Sequence, residues 1–217
     1  MNVRDIETGL INHCQICNSK SLLDVINLGF SGLCDSLLSK KDLNKVEKIY
    51  PLTLQRCKKC QLLQLNYVVD NKEVFHLDYP YKSGITKPLK KLLHSTGQYC
   101  KSNFSFSKKP LVVDIGSNDG TLLEGFKNLD FNVLGVEPTN ISKIANEKGI
   151  KTIQKFFDLD TAKIIKRKYG KAEVITGTNI FAHVNKLDTF MKGVKVLLNS
   201  KTGIFVTESH YAVNIID

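Results

Sequence analysis

The sequence predicts an α/β protein in which a small, cysteine-stapled lobe precedes a parallel sheet. Two Cys-x-x-Cys pairs, at 14/17 and 57/60, stand in the first third of the chain. Downstream, short apolar runs alternate with helical patterns, an order that is typical of βαβ units. The 217 residues suffice for two small domains. We expect these domains at 1–84 and 110–217, joined by a helix and linker at 85–109.

The first 70 residues contain short apolar stretches that Gly, Asn and Ser interrupt, and one weak helical pattern at 37–48. Such a segment buries little apolar surface and is typical of a loop-rich unit that a metal holds together. From 85 to 104, apolar residues recur at spacings of three and four, which predicts a helix. The run SNFSFSKKP at 102–110 is polar and ends in proline, and it predicts a linker.

Five strands and four helices are predicted after the linker. The strands are expected at 111–115, 132–137, 151–154, 173–177 and 203–207, and the helices at 121–129, 140–148, 159–169 and 187–198. A further helix is expected to start after the fifth strand and to include Asp217. Strands separated by helices are joined by right-handed crossovers, which predicts a parallel, Rossmann-like sheet.

The four paired cysteines have the spacing of a metal site. Cys14 and Cys17 form one C-x-x-C turn, Cys57 and Cys60 form another, and 39 residues separate the two turns. Each turn places two sulfurs on one side, so two turns complete a tetrahedron around Zn²⁺. Four thiolates leave no open position, and we therefore expect a structural zinc ion. A thioredoxin-like redox pair is the alternative, but neither motif opens a helix after a strand.

The two remaining cysteines, Cys34 and Cys100, are predicted to be small buried side chains. The N-terminus lacks the apolar core of a secretion signal, and no apolar run is long enough to span a bilayer. These features predict a cytoplasmic protein whose cysteines stay reduced.

The net charge of +10 is concentrated in the first half of the chain. Residues 1–109 carry 17 Lys and Arg against 9 Asp and Glu, whereas residues 110–217 carry 14 against 12. A basic front half suits an anionic partner, either nucleic acid or a phosphorylated small molecule. The alternative is that the basic residues beside the cysteines offset the thiolate charge and aid solubility.

A glycine-containing loop, DIGSNDG at 114–120, lies between a predicted buried strand and a predicted amphipathic helix. Gly116 and Gly120 permit tight turning and close approach of the backbone to a ligand. Asn118 stands where a simple glycine loop has Gly, and Asn tolerates a positive φ. Glu137 follows Gly116 by 21 residues at the end of the next strand, where a carboxylate can accept hydrogen bonds from ribose hydroxyls.

The charge of this loop discriminates between cofactors. Asp114 and Asp119 would repel the pyrophosphate of NAD, whereas they suit a ligand that carries an amino group and a sulfonium. S-adenosylmethionine is therefore the predicted cofactor. The alternative is a tight turn between strand and helix that binds no ligand.

The motifs, taken in order, resemble those of the zinc-containing, S-adenosylmethionine-dependent C-methyltransferases that act on nucleotide-linked deoxy-keto-sugars. The resemblance rests on the paired cysteines and on DYPYKSG at 78–84, VVDIGSNDGTLL at 112–123, GVEPT at 135–139, TNIFAHV at 178–184 and TESHY at 207–211. It implies a zinc lobe followed by a class I methyltransferase sheet. It also implies an enzyme that deprotonates the carbon beside a ketone, which needs a general base and stabilisation of an enolate.

Ten cofactor-binding residues follow from this resemblance. They are Asp114, Gly116, Asn118, Asp119, Gly120, Glu137, Phe157, Asp158, Asn179 and Ser83. Within this set, Glu137 would hold the ribose, and Asn179 would lie near the methyl donor. Phe157 and Asp158 would border the adenine.

The resemblance implies three catalytic residues, His183, Tyr79 and Tyr81. His183 would face the sugar, and the two tyrosines would close over the cofactor and substrate. The alternative is that His183 is a core histidine and that the tyrosines are packing aromatics.

Members of the resembled family are longer than this chain, and their general base is expected in a Tyr-x-Glu-His segment beyond TESHY. The resemblance therefore predicts that the chain is an N-terminal portion with an incomplete sheet: a fragment, a split gene product or a truncated reading frame. Cofactor binding is expected to survive and turnover is expected to be lost, with a partner chain as a possible source of the missing part. The predicted substrate is a nucleotide-sugar, and no membrane partner is expected. Two rival functions are a zinc-ribbon nucleic-acid methyltransferase and a non-catalytic zinc- or cofactor-binding module.

Overall fold

The computed structural model describes residues 5–211, and the chain divides into two compact units. Unit 1 consists of Met1–Tyr79 and Asn185–Asp188, and unit 2 consists of Pro80–Val184 and Thr189–Asp217. The helix that was expected after the fifth strand lies outside the described residues. The domain boundaries expected from the sequence stay a prediction.

Unit 1 contains short antiparallel strands and one helical turn. Its elements are β1 (Gly9–Leu10), β2 (Leu22–Ser31), β3 (Tyr50–Cys57), β4 (Leu63–Leu65), β5 (Tyr67–Val68) and α1 (Asn71–Val74). Strands β2, β3 and β4 form a three-stranded antiparallel sheet, and β1 pairs with β5. The weak helical pattern at 37–48 forms turns and no helix, so that expectation was wrong.

The apolar core of unit 1 is small. Its buried apolar side chains, within the described residues, are Ile6, Ile11, Cys14, Cys57 and Leu187. Several large apolar side chains of β2 are exposed to solvent instead. A unit of this size with so few buried side chains gains little free energy from burial. It therefore needs a further source of stability, such as a bound metal.

Unit 2 is built from one parallel five-stranded sheet and the helices that cover it. Its strands are β6 (Leu111–Ile115), β7 (Asn132–Val136), β8 (Thr152–Ile153), β9 (Val174–Thr178) and β10 (Ile204–Glu208). Its helices are α2 (Lys87–Asn103), α3 (Thr121–Lys127), α4 (Ile141–Glu147), α5 (Leu159–Tyr169) and α6 (Leu187–Leu197), of which the first two residues are assigned to unit 1. The predicted α/β class with a parallel sheet is confirmed. None of the helices in the described part of the chain is long and apolar enough to cross a membrane.

Each face of the sheet carries its own core, because successive side chains of a strand point to opposite faces. One core contains Val113, Ile115, Leu134, Val136 and Ile175 together with side chains of α5 and α6. The other contains Val112 and Val174 together with side chains of α2, α3 and α4. Both faces are therefore covered, which explains why the strands read as continuous apolar runs.

The strand order β10-β9-β6-β7-β8 places β6 at the centre. From β6 the chain moves outward to β7 and β8, and it then returns to the other side of β6 to form β9 and β10. The order therefore reverses at the β6–β9 junction. In open parallel sheets, ligands bind outside the carboxyl ends of the strands at this reversal.

Helices α2 and α3 approach each other closely at two glycines. A Cβ on Gly125 would lie 2.7 Å from the Cα of His94, and a Cβ on Gly97 would lie 3.4 Å from the Gly125 carbonyl carbon. Since backbone fills the space that a side chain would occupy, only glycine fits without movement of the helices. His94 is thus a packing residue at this crossing.

The segment at 102–110, expected to be a polar linker, packs against the amino ends of the strands. Phe106 contacts Phe131 with ring centroids 5.6 Å apart, and Phe131 contacts Phe126 at 5.3 Å. The Ser107 amide donates to a carboxylate oxygen of Glu173 at 3.0 Å. The half-buried Phe106 therefore anchors a run that is otherwise mostly exposed.

The two isolated cysteines differ in burial. Cys100 is fully buried on α2, as predicted, whereas Cys34 is exposed. Cys34 lies in a turn that follows β2, and a surface turn offers a thiol no apolar surroundings. The expectation of burial was therefore wrong for Cys34.

Candidate functional site

The four paired cysteines of unit 1 come together as predicted. The Cys14 and Cys60 sulfurs lie 3.4 Å apart, the Cys17 and Cys57 sulfurs lie 3.5 Å apart, and all four fall within 4.8 Å of one another. A tetrahedral zinc ion with Zn–S bonds of ~2.3 Å holds its sulfurs about 3.8 Å apart. The donor set and its spacing fit a structural Zn²⁺ with four protein ligands.

The two C-x-x-C turns have the same backbone design. The amide of Asn18 donates to the Cys14 carbonyl at 2.9 Å, and the amide of Gln61 donates to the Cys57 carbonyl at 2.9 Å. Asn18 and Gln61 each take a positive φ, 59° and 65°. Each turn therefore reverses directly after its second cysteine, which aims both sulfurs to one side.

Backbone amides also influence the thiols. The pKa of Cys57 is lowered to about 6, chiefly by a hydrogen bond from the backbone amide of Cys60. Burial raises the pKa of Cys14 to about 12. Amides that point at sulfur stabilise the thiolate form, which is the form that binds metal. The first requirement of a zinc site, deprotonated sulfur, is thus met partly by the fold of the second turn.

A second cluster of predicted residues lies in unit 2, at the carboxyl ends of three neighbouring strands. Gly116 follows β6, Glu137 follows β7 and Asn179 follows β9. The Gly116 amide donates to the Val136 carbonyl at 2.8 Å. The structure therefore brings these three residues to the edge where the strand order reverses, the expected ligand edge of such a sheet.

Three residues of the 114–120 loop adopt left-handed backbone. Their φ angles are 69° at Gly116, 51° at Asn118 and 79° at Gly120. A Cβ on Gly116 would overlap the Ile180 side chain, and a Cβ on Gly120 would lie 3.0 Å from the Ile150 side chain. The two glycines are thus required by φ and by neighbouring side chains, independently of any ligand.

Glu137 is 5% exposed and ties the loop to the end of β7. One carboxylate oxygen accepts the Asn118 amide at 3.0 Å, and the other accepts the amide and hydroxyl of Thr139 at 2.9 and 2.7 Å. The carboxylate is therefore held in one orientation by three protein donors. A ligand hydroxyl at this position would meet a preorganised acceptor.

The charge of the loop is smaller than its two aspartates suggest. Burial raises the pKa of Asp114 to about 7, against the hydrogen bond that its carboxylate accepts from the Thr176 hydroxyl at 2.6 Å. Asp119 forms an ion pair with Lys148 at 3.0 Å. The sequence suggests two free negative charges here, but burial of Asp114 and the Lys148 ion pair of Asp119 leave fewer. One carboxyl resists ionisation and the other is paired.

Asn118 and Asp119 also hold the segment at 81–84, within unit 2. The Asn118 side chain accepts the Ser83 amide at 2.8 Å and donates to the Tyr81 carbonyl at 3.0 Å. The Asp119 carboxylate accepts the Gly84 amide at 3.2 Å. These contacts place the Ser83 amide beside the loop, whereas a role of Ser83 in cofactor binding stays a prediction.

The residues expected near an adenine have partners of their own. The Phe157 ring packs against Phe190 with centroids 5.4 Å apart, and it approaches Gly193 of α6. The Asp158 carboxylate accepts the Thr161 amide at 2.7 Å and caps α5. Both residues lie in the connection between β8 and α5, while their side chains serve the core and a helix terminus.

The candidate catalytic residues fall in both units. In unit 1 the Tyr79 hydroxyl donates to Asp35 at 3.0 Å, and in unit 2 Tyr81 is 45% exposed. His183 ends a short 3-10 helix, and its side chain is exposed. Partial desolvation, followed by the nearby His210, lowers the pKa of His183. A lowered pKa favours the neutral imidazole, the form that can accept a proton.

Asn179 has a positive φ of 54°, and its amide donates to the Glu208 carbonyl at 2.9 Å. Left-handed backbone at a non-glycine residue is retained where the surroundings require it. Gly84 and Lys148, which both contact the Asp119 carboxylate, were not among the site residues predicted from the sequence. Only Gly84, as a glycine, gave a local signal.

A cavity of about 460 Å³ lies elsewhere in unit 2. It is lined by residues of 101–110 and 129–131, among them Phe104, Phe106 and Lys109. These residues precede β6 and β7, so the cavity lies at the amino ends of the strands. It is separate from the loop cluster, which lies at the carboxyl ends.

Comparison with known proteins gives one family match and one curated relative with a stated activity. A family model described as "Putative zinc binding domain" matches residues 14–75. The chain is 29% identical over 207 residues to "C-methyltransferase NovU" of Streptomyces niveus. That alignment covers 95% of this chain and 49% of the relative. The chain thus spans about half the length of the curated relative.

Solved methyltransferase structures are similar to part of the chain. The plantazolicin methyltransferase BpumL, in complex with S-adenosylhomocysteine (SAH), matches with a TM-score of 0.41 and 18% identity over 54% of this chain and 45% of its own. Coclaurine N-methyltransferase, bound to N-methylheliamine and SAH, matches with a TM-score of 0.42 and 16% identity over 58% of this chain and 38% of its own.

Proposed function

We propose that the chain functions in S-adenosylmethionine-dependent C-methylation of a nucleotide-linked deoxy-keto-sugar. The observation that carries the proposal is the similarity to a C-methyltransferase across 95% of the chain, through both the cysteine cluster and the parallel sheet. The loop cluster at the reversal of strand order supports it, because this is where such sheets bind their ligands.

S-adenosylmethionine would supply a methyl group bound to a positively charged sulfur. Its ribose hydroxyls would donate to the buried carboxylate of Glu137, and its methionine end would lie along Gly116 and Asn118. Asn179, at the end of β9, would border the reacting methyl group. Phe157 and Asp158 would border the adenine through their backbone atoms more than through their side chains, because both side chains have partners within the protein.

Attack by carbon requires removal of a proton from the carbon beside the ketone. The general base for this step is expected in the segment beyond TESHY. His183 would face the sugar, and its lowered pKa keeps its imidazole neutral. The Tyr81 side chain is exposed, and its hydroxyl would donate a hydrogen bond to the enolate oxygen.

Calorimetry with S-adenosylmethionine and with NAD tests the cofactor. We expect S-adenosylmethionine to bind and NAD to bind weakly or not at all. Glu137→Gln should weaken binding by about 10- to 100-fold, since it replaces a charged acceptor. Glu147→Gln, at an exposed position on α4, is the matched control and should bind like the wild type. Preferential binding of NAD would overturn the proposal.

The proposed partner class is a small anionic substrate rather than nucleic acid, and a cytoplasmic location is proposed with it. None of the six cysteines forms a disulfide in the structure, which suits a reducing compartment. A mobility-shift titration with RNA and DNA at near-physiological salt separates the partner classes. Saturable, salt-sensitive binding there would favour the nucleic-acid alternative.

A further inference from the structure

The segment at 81–84, termed the strap from here on, lies at the start of unit 2, where the chain has just left unit 1. Three backbone groups of the strap bond to two consecutive loop side chains. The Tyr81 carbonyl and Ser83 amide bond to Asn118, and the Gly84 amide bonds to Asp119. The strap, whose last two residues begin a short 3-10 helix (Ser83–Ile85), is therefore fastened to the loop by loop side chains.

Asn118 connects the strap to the rest of the site. Its side chain holds two strap groups, while its amide donates to the Glu137 carboxylate at 3.0 Å. The residue is 8% exposed and has a φ of 51°. Its backbone conformation thus decides both where the Glu137 contact forms and where the strap can bind. No other residue in the described part of the loop bonds to both.

Gly84 explains the close fit of the strap. A Cβ at this position would lie 2.6 Å from the Asp119 carboxylate and 2.6 Å from the Thr121 hydroxyl. Any larger residue would lift the strap off the loop. Lys148 bonds to the same carboxylate oxygen of Asp119 at 3.0 Å, so this acceptor is fixed from the other side.

We propose that Asn118 is a positioning residue that couples the order of the strap to occupancy of the loop. A ligand seated on the loop and Glu137 stabilises the left-handed conformation of Asn118, and that conformation is the one that binds the strap. Coupling of this kind is reciprocal, so an ordered strap strengthens ligand binding equally. The ligand part rests on the proposed function, whereas the contact between loop and strap does not.

Asn118→Gly tests the contact, because glycine adopts the same φ but has no side chain to hold the strap. We expect the Ser83 amide to exchange with solvent at least about tenfold faster than in the wild type. Trypsin should cut faster at Lys82, which is exposed within the strap. Asn118→Asp retains the acceptor for Ser83 but loses the donor to Tyr81, so its effect should be intermediate.

Asp130→Gly is the matched control. Asp130 also has a positive φ, 67°, but it is exposed. It belongs neither to the strap nor to the loop cluster. This variant should leave exchange at Ser83 and cleavage at Lys82 unchanged. Exchange in the strands should stay slow in both variants, which separates strap release from general unfolding.

Addition of S-adenosylhomocysteine tests the coupling. In the wild type it should slow exchange at Ser83 and Gly84, and in Asn118→Gly it should bind more weakly and leave their exchange fast. Unchanged strap exchange in ligand-free Asn118→Gly would overturn the inference. If that variant releases the strap but the wild type binds no S-adenosyl ligand, the proposed function and the coupling fail while the contact stands.

Discussion

Individual charges at the loop cluster depend on partners distant in sequence. Asp114 is buried beside Thr176, 62 residues away, and Asp119 is paired with Lys148, 29 residues away. A carboxyl buried next to another acid ionises at higher pH, and Glu137 adds to the effect of burial on Asp114. The loop therefore presents fewer free negative charges than its two aspartates would carry if both were ionised and unpaired.

Asp114 should make stability depend on pH. Its pKa is raised to about 7 in the folded state, from an ordinary value near 4, so the folded state binds this proton more tightly than the unfolded state. The free energy of unfolding should therefore fall as pH rises from about 4 to 7. Asn cannot ionise, and it retains an acceptor for Thr176. At pH 8 we expect the free energy of unfolding of Asp114→Asn to be larger than that of the wild type by on the order of 2–4 kcal/mol.

Urea unfolding at pH 4.5 and pH 8, followed by fluorescence of unit 2 tyrosines or by circular dichroism, measures this difference. At about pH 4.5, the difference in free energy of unfolding between Asp114→Asn and the wild type should shrink toward zero. Asp160→Asn, at an exposed position on α5, should show no such trend. An advantage that is independent of pH would contradict the pKa assignment.

The cysteine cluster gives a second residue-scale prediction. Cys57→Ser removes one thiolate, and three remaining sulfurs bind zinc more weakly. We expect zinc content, measured by atomic absorption after purification without chelator, to fall from about one ion per chain toward zero. Cys34→Ser changes an exposed cysteine outside the cluster and should keep its zinc. Equal zinc content in both variants would argue against the four-sulfur site.

At the scale of elements, helix packing adds a constraint that helical periodicity does not contain. Gly125→Ala should stabilise an isolated helix by about 1 kcal/mol. In the protein the added Cβ meets the backbone of His94, so we expect net destabilisation of about 1–3 kcal/mol. Thermal unfolding measures the outcome. Ser95→Ala, on the exposed side of α2, should be neutral or slightly stabilising, and a stabilised Gly125→Ala would refute the close crossing.

Element types were predictable from the sequence to the extent that they follow from local pattern. The strand at Leu111–Ile115 and the helix at Leu159–Tyr169 have the expected bounds, because apolar runs and helical spacing are local features. The pattern at 37–48 failed, since unit 1 offers it little apolar surface on which to pack. The linker at 102–110 stays a prediction, but Phe106 within it packs against Phe131, a contact that no local pattern marks.

At the scale of the whole molecule, the two units differ in what stabilises them. Unit 2 has an apolar core on each face of its sheet, whereas unit 1 has few buried side chains and a four-cysteine cluster. Removal of zinc by a chelator should therefore unfold unit 1 and leave unit 2 folded. Hydrogen exchange should accelerate across β3 and β4 and stay slow in β6, β7 and β9. Restored zinc should restore protection, and uniform loss in both units would contradict independent stabilisation.

The sequence by itself determined which residues belong to the zinc cluster, the order of strands and helices in unit 2, and the position of the glycine loop between β6 and α3. These follow from spacing and periodicity, which act over a few residues. Only the tertiary structure decided that Lys148 neutralises Asp119, that Glu137 binds the Asn118 amide, and that Asn118 holds the strap. Those contacts join residues 19 to 37 positions apart, and chain packing brings such residues together without a local pattern that marks them.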